Sequence, residues 1–344
     1  MRLCFVILFA SSLSAQLSTI QNSNTAENLR GVSAPSTNVA WASGTHGTYL
    51  RTIDGGNTWH AAQVPGAELL DFRDVEAFSA DLAYLLAAGP GDQSRIYKTS
   101  DAGKTWSLQF TNQEPKGFYD CMAFWNSDHG IAVGDPTFDK DGQGKFELIT
   151  TEDGGKSWKP IPPEKLPPAV AGEGGFAASG TCIAVQGKAN VWFASGGKGA
   201  RVFRSTDAGK NWTVAETPIV HGADSAGIFS IAFRDSKQGV IAGGDYQQPE
   251  REGPNLAFTT DGGRTWTLAA IAPQWYFSAI AYTDRRGADA LFALGTAHAA
   301  LADVTARKWR KTWDLNLNAI GVSPSGEILA VGPRGLIVRF APGH

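Results

Sequence analysis

The chain has 344 residues, 42% of them hydrophobic and 18% charged, with a formal net charge of −3. With no run of Lys or Arg anywhere, that balance excludes a nucleic-acid binder and a basic membrane-surface protein. The 40 glycines and 11 tryptophans point to many tight turns between short strands.

The chain opens with Met1-Arg2, an apolar run from Leu3 to Ala10 and a small-residue zone ending at Ala15. The run is far short of the roughly 20 residues that span a bilayer. This pattern predicts a secretory signal peptide over 1–15 and a secreted or periplasmic protein. No cysteine follows at a lipoprotein-like place, and no later stretch could cross a membrane as a helix. Residues 16–344 read as one domain with no linker. Removing 1–15 takes away Cys4 and leaves Cys121 and Cys182. Neither lies in a Cys-x-x-Cys or Cys-x-x-His pair, so a zinc site is not expected and both are read as buried free thiols.

From Leu17 to Asn22 a short strand precedes the first repeat. Then one motif recurs five times: "TIDGGNTW" from Thr52, "TSDAGKTW" from Thr99, "TEDGGKSW" from Thr151, "STDAGKNW" from Ser205 and "TTDGGRTW" from Thr259. Its aspartates Asp54, Asp101, Asp153, Asp207 and Asp261 are spaced by 47, 52, 54 and 54 residues. This is the chemistry of a hairpin turn. The carboxylate accepts backbone N–H groups a few residues on, and the following glycine takes positive φ at no steric cost. The closing tryptophans Trp59, Trp106, Trp158, Trp212 and Trp266 pin the turn to its sheet. These residues are therefore read as structural rather than as acidic active sites.

A second signature runs round the chain seven times: an apolar strand, a polar turn, a second apolar strand and a Gly-rich loop. The copies include "LRGVSAPSTNVAWASG", "FRDVEAFSADLAYLLAAG" and "LNAIGVSPSGEILAVG". The sixth repeat has a degenerate ending, "LADVTARKWRKTW", and the seventh stops after "LIVRFAP". Four strands repeated seven times predict an all-β, seven-bladed propeller. The strand from Leu17 to Asn22 is expected to complete the last blade and close the ring.

The motif S/T-x-D-x-G-x-T/S-W resembles the Asp box, or bacterial neuraminidase repeat. With "NLRGVS" near the start and boxes nearly all round, the chain most resembles the photosystem II stability and assembly factor family. It is similar above all to secreted relatives of that family in non-photosynthetic bacteria. Segments such as "FYDCMAFWNSDHGIAVGDP", "GEGGFAASGT", "ARVFRSTDAGKNW" and "AGIFSIAFRD" before "GGDY" carry that likeness. The resemblance implies a non-enzymatic scaffold that binds an exported or membrane-associated protein partner. Such relatives are often labelled glycosyl hydrolase or oxidoreductase, and these stand as alternatives. The sialidase signature Arg-Ile-Pro is missing: Arg30 and Arg51, ahead of the first box, are followed by Gly31 and Thr52. The glycines of "GGKGARVF" lie between two strands, not between the strand and helix of a dinucleotide turn. No cofactor and no metal are expected. The calcium-like hairpin Phe138 to Glu147 lacks the EF-hand register and is left open.

In a propeller the loops opposite the Asp boxes share the rim of the central channel. Asp120, Asp135, Glu173, Arg201, Asp245 and Tyr246 fall there by the repeat alignment and are the candidate binding residues, with a glycan as the alternative ligand. Asp74, Asp120, Thr181, Ser278 and Asn318 align at one repeated inner-strand position facing the channel. Crowded carboxylates there should repel and raise a pKa, which Arg201 would offset within hydrogen-bond reach.

Overall fold

The computed structural model describes residues 18–285 and 288–340. The predicted signal segment and Leu17 lie outside the described residues. Among these, no helix is long and apolar enough to cross a membrane.

The strands form seven antiparallel blades arranged as a propeller. Blades 1 to 6 each run from an inner to an outer strand in chain order. Blade 1 is Leu29–Ser33, Ala40–Gly44, Thr48–Thr52 and His60–Gln63. The inner strands of blades 2 to 6 are Phe72–Ala77, Tyr119–Phe124, Ile183–Gln186, Ala226–Phe233 and Ala279–Arg285. Blade 6 is complete despite its degenerate motif, ending in the strand Trp309–Asp314. Blade 7 supplies Ala319–Val322, Ile328–Val331 and Ile337–Phe340. Its outer strand is Ser18–Gln21, paired from Ser18 with Phe340 to Gln21 with Ile337. The N-terminal strand thus closes the ring as the repeat count requires, covering an edge that would otherwise expose unpaired N–H and C=O groups.

The core is divided the same way. Seven hydrophobic clusters each sit between two neighbouring blades. Both faces of each sheet are covered by the next blade, which explains near-continuous apolar strands such as Ala83–Ala87.

The five repeated turns share one hydrogen-bond pattern. In the first, the buried Thr52 hydroxyl accepts the Gly56 N–H at 2.9 Å and donates to Asp54 Oδ1 at 2.8 Å. Asp54 Oδ1 accepts the Thr58 N–H at 2.9 Å, and Oδ2 accepts the Thr58 hydroxyl at 2.6 Å. The turns at Asp101, Asp153, Asp207 and Asp261 repeat this pattern, with the Asn211 side-chain amide in place of the hydroxyl donor at Asp207. The glycine two places after each aspartate has φ between 82° and 85°, where a Cβ would be strained. The carboxylate and the front hydroxyl thus share the turn, the hydroxyl by holding the glycine N–H. Each closing tryptophan also reaches beyond its own sheet. Trp59 packs in the cluster shared with blade 7, and Trp212 in the one shared with blade 3.

The expectation of two free thiols is corrected. Cys121 and Cys182 form a disulfide, with Cα atoms 6.2 Å apart. They are 61 residues apart in sequence. Cys121 lies on the inner strand of blade 3 and Cys182 directly before that of blade 4, at matching places that the ring sets side by side at a spacing a disulfide can bridge.

Candidate functional site

The mouth of the channel opposite the repeated turns is a cup of about 470 Å³. Its wall is built by a recurrent local irregularity. On the inner strands of blades 1, 2, 3 and 5 the register slips by one residue against the second strand. The unpaired residues are Arg30, Arg73, Asp120 and Phe229, and all four line the cup. A bulge of this kind re-aims a side chain out of the sheet. Ser278 and Asn318 line it from blades 6 and 7. The repeated inner position is therefore held by Arg73 in blade 2, not by Asp74 as the sequence alignment had it. Asp74 matches Cys121 instead, each being the first paired residue after its bulge, and it lies deeper in the channel.

The floor is the segment from Gly175 to Thr181, which leaves the rim and crosses the channel. The Gly175 N–H donates to Asp135 Oδ1 at 2.7 Å, and a Cβ on Gly175 would collide with the Asp120 carboxylate. The Ala177 carbonyl accepts from Arg73 at 3.4 Å, and the Ser179 hydroxyl donates to the Ser278 carbonyl at 2.9 Å. The Thr181 and Ser230 hydroxyls are hydrogen-bonded to each other at 2.7 Å. One short segment thus touches blades 2, 3, 5 and 6. Cys182 follows it directly, so the disulfide ties the end of this floor to the strand that carries Asp120.

The cup has two unlike halves. Blades 1 to 3 supply charge. Arg73 pairs with Asp71 at 2.8 Å, whereas the Nε of Arg30 is buried with no hydrogen-bond partner. Burial, and then the Arg73 charge, pull the Arg30 pKa below its ordinary value. Asp120 is 2% exposed, and its Oδ2 also lacks a partner. Burial, then the neighbouring Asp135, push its pKa well up, with Arg73 acting against them. Burial raises Asp135 too, opposed by the Gly175 N–H. Blades 4 to 6 supply aromatic surface. Phe176 and Phe229 stack at 3.8 Å, Tyr276 meets Phe229 edge-on at 4.8 Å, and Tyr246 stands at the rim, 48% exposed.

Of the six candidate residues, the cup brings together Asp120, Asp135 and Tyr246. Glu173 and Arg201 are elsewhere. They form a buried two-pronged ion pair with each other, closed by the Ser195 hydroxyl and the Pro168 carbonyl. Arg201 therefore does not offset the Asp120 and Asp135 carboxyls. Its partner Glu173 belongs to a two-residue strand paired with Gly196–Gly197, which pairs in turn with the inner strand of blade 5. Asp245 is buried and caps its own loop by accepting the Gln247 N–H at 3.0 Å. The residues missed by sequence reasoning are Arg30, Arg73, Phe176 and Phe229. Their one signal was position: Arg30, Arg73 and Phe229 stand where Asp120 stands in blade 3. In the 138–147 hairpin, Asp139 Oδ1 accepts two backbone N–H groups of its own turn. Among the described residues no three ligating side chains gather to hold a metal.

In overall fold the chain is similar to YCF48, a photosystem II assembly factor. Against YCF48 from Cyanidioschyzon merolae the TM-score is 0.65 at 19% identity, covering 95% of this chain and 99% of that one. A structure of YCF48 bound to D1 peptide aligns with a TM-score of 0.64 at 14% identity, over 96% of this chain and 99% of that one. A streptogramin B lyase aligns with a TM-score of 0.66 at 12% identity, over 94% of this chain and 97% of that one. At such identities the likeness is one of fold, and propellers of this shape serve binding and catalysis alike. No family model and no curated protein matches the sequence.

Proposed function

We propose that this propeller is an exported scaffold that holds a segment of a protein partner in the cup. The observation that carries the reading is the cup itself. It is concave, floored and half aromatic, and it contains a desolvated guanidinium with an unused donor. A buried, unpaired arginine donor is costly in the free protein, and a ligand carboxylate or carbonyl relieves that cost. Rigid aromatic faces with a polar rim are what a peptide side chain anchors on. The peptide-bound structure of a protein of the same fold lends support. Export is supported by the leader-like first 15 residues and by a disulfide, which persists in oxidising compartments.

The test is capture from a cell-envelope extract on the immobilised mature chain, comparing wild type with Arg30→Ala and Tyr246→Ala. A partner retained by the wild type and lost by both variants is the expected result. Equal retention by all three would overturn the reading.

One observation favours a second reading, a glycoside hydrolase: Asp120 and Asp135 converge on Gly175 in the cup. Glycosidases work with two carboxyls flanking the scissile bond. Turnover of nitrophenyl glycosides that disappears in Asp120→Asn would establish it, and no turnover by the wild type would remove it.

A further inference from the structure

The cup has a positive pole that its own acids leave uncompensated. Arg30 and Arg73 stand on one tier, each the unpaired residue of a bulge, and the Arg73 charge bears on Arg30. A single carboxylate serves both. Asp71 is bonded to Arg73 at 2.8 Å. Arg30 makes no hydrogen bond or ion pair among the described residues, and its Nε is buried. Asp120 and Asp135 pair with no cation among the described residues, and burial favours the neutral form of each. Two hydroxyls in the loops of blade 6 line the same cup, those of Tyr276 and Thr296. Neither side chain has a hydrogen bond among the described residues. The Tyr276 phenol is near enough to Arg30 for the guanidinium charge to bear on it.

This pole lies at the bottom of a dead end. On the tier of Arg30, Arg73 reaches the Ala177 carbonyl of the floor and Asp120 abuts Gly175. The floor closes the cup beneath them, so a polypeptide cannot thread past. The middle of a chain could reach Arg30 only by folding back on itself. A chain end reaches it directly, and about 470 Å³ gives room for an end rather than for a turn. Beside the pole stand the stacked rings of Phe176 and Phe229, with Tyr246 at the rim.

We propose that the cup recognises the free C-terminus of the partner, its terminal carboxylate bonded by Arg30 and the hydroxyls of Tyr276 and Thr296, and an apolar last side chain lying against Phe176 and Phe229. This rests on the reading of the cup as the partner's site and names the part of the partner it takes. Charge complementarity selects the group. A guanidinium with no counter-ion takes a planar carboxylate through two parallel hydrogen bonds. A backbone carbonyl would accept one bond and leave the charge uncancelled, and an N-terminal ammonium would be repelled. Phosphate shares the negative charge but brings nothing for the aromatic face. Capture of a chain-terminal carboxylate is a recurrent way for a domain to read a peptide.

The probe is acetyl-Ala-Ala-Phe with a free carboxylate, titrated calorimetrically into the whole folded chain at neutral pH. Its C-terminal amide removes the charge. Acetyl-Ala-Asp-Phe amide moves the charge to an internal side chain, and inorganic phosphate offers it without an apolar body. The expected result is saturable binding of the acid, with both amides weaker by roughly tenfold or more and phosphate a poor competitor. Arg30→Gln removes a desolvated charge and should fold normally, yet bind the acid no better than its amide. Tyr276→Phe keeps the ring and should weaken the acid more than the amide. Equal binding of the internal acid, or displacement by phosphate at the same concentration, would overturn recognition of a chain end. Equal binding of acid and amide, no saturable binding of the acid, or an unchanged Arg30→Gln would overturn the role of the carboxylate. If acid and amide bind alike while Arg30→Ala and Tyr246→Ala still abolish capture from the envelope extract, this proposal fails and the scaffold reading stands. Selective binding of the acid with no partner captured would support recognition of a chain end and count against the scaffold reading.

Discussion

The two ends of the channel use the same residue type in opposite ways. In the repeated turns each aspartate is at least partly open to solvent and both its oxygens are occupied. Hydrogen bonds from the Thr58 hydroxyl and N–H hold the Asp54 pKa at about 2, and Ser157 does the same for Asp153. In the cup, Asp120 is buried, one of its oxygens has no partner, and its pKa is pushed up. A carboxylate whose bonds are all made within its own turn is finished as structure. One that is desolvated and incompletely bonded is kept at a cost in stability, and such sites cluster where proteins bind or react.

The largest effect should come from breaking the ring beneath both ends. Deleting residues 18–21 removes the closing strand, together with the Gln21 bonds to Gly55 and Trp59. The expected outcome is loss of a single cooperative thermal transition and of partner capture. A transition unchanged in midpoint and steepness would show that closure does not matter.

Next is the tie beneath the cup. Replacing Cys121 and Cys182 by Ala should cost about 2–4 kcal/mol in urea unfolding. It should also speed amide exchange across residues 175–181 and leave the turn amides protected. Equal loosening of both ends would show that the disulfide does not act on the floor in particular.

The pH dependence separates the two kinds of carboxylate by sign. Asp120 has a folded pKa raised above its ordinary 3.8. Its ionisation opposes folding, so stability is lost as pH rises from that value through the folded pKa. Asp120→Asn should therefore gain on the wild type at high pH, and the gap should close as pH falls toward 3.8. Asp54 is depressed to about 2, so its contribution is present above 3.8 and is lost as pH falls through 2. Asp54→Asn should be the less stable chain at neutral pH, with the gap closing in acid. The same sign for both substitutions would contradict the assignment.

The smallest effects are within one turn. Ser205→Ala leaves the Gly209 N–H without its buried acceptor and should cost roughly 1–2 kcal/mol. Asp207→Ala removes bonds at an exposed site and should cost about 1 kcal/mol or less. Neither should alter partner capture by the folded fraction, and loss of capture at unchanged stability would make the turns part of the site.

What the sequence determined by itself was everything that repeats. The five turns, the seven strand signatures and the closing N-terminal strand are local patterns, and local hydrogen bonding and strand periodicity read the same in every copy. The tertiary structure decided what breaks the repeat. One-residue bulges put Arg30 and Arg73, not Asp74, beside Asp120, and a bulge leaves no mark in an apolar strand pattern. Glu173 and Arg201 look like site residues by position but are used up on each other, because a buried charge takes the nearest partner the fold offers. Cys121 and Cys182 meet because the ring lays matching positions of adjacent blades side by side. The floor of the cup exists only because residues 175–181 cross a channel whose walls come from every blade.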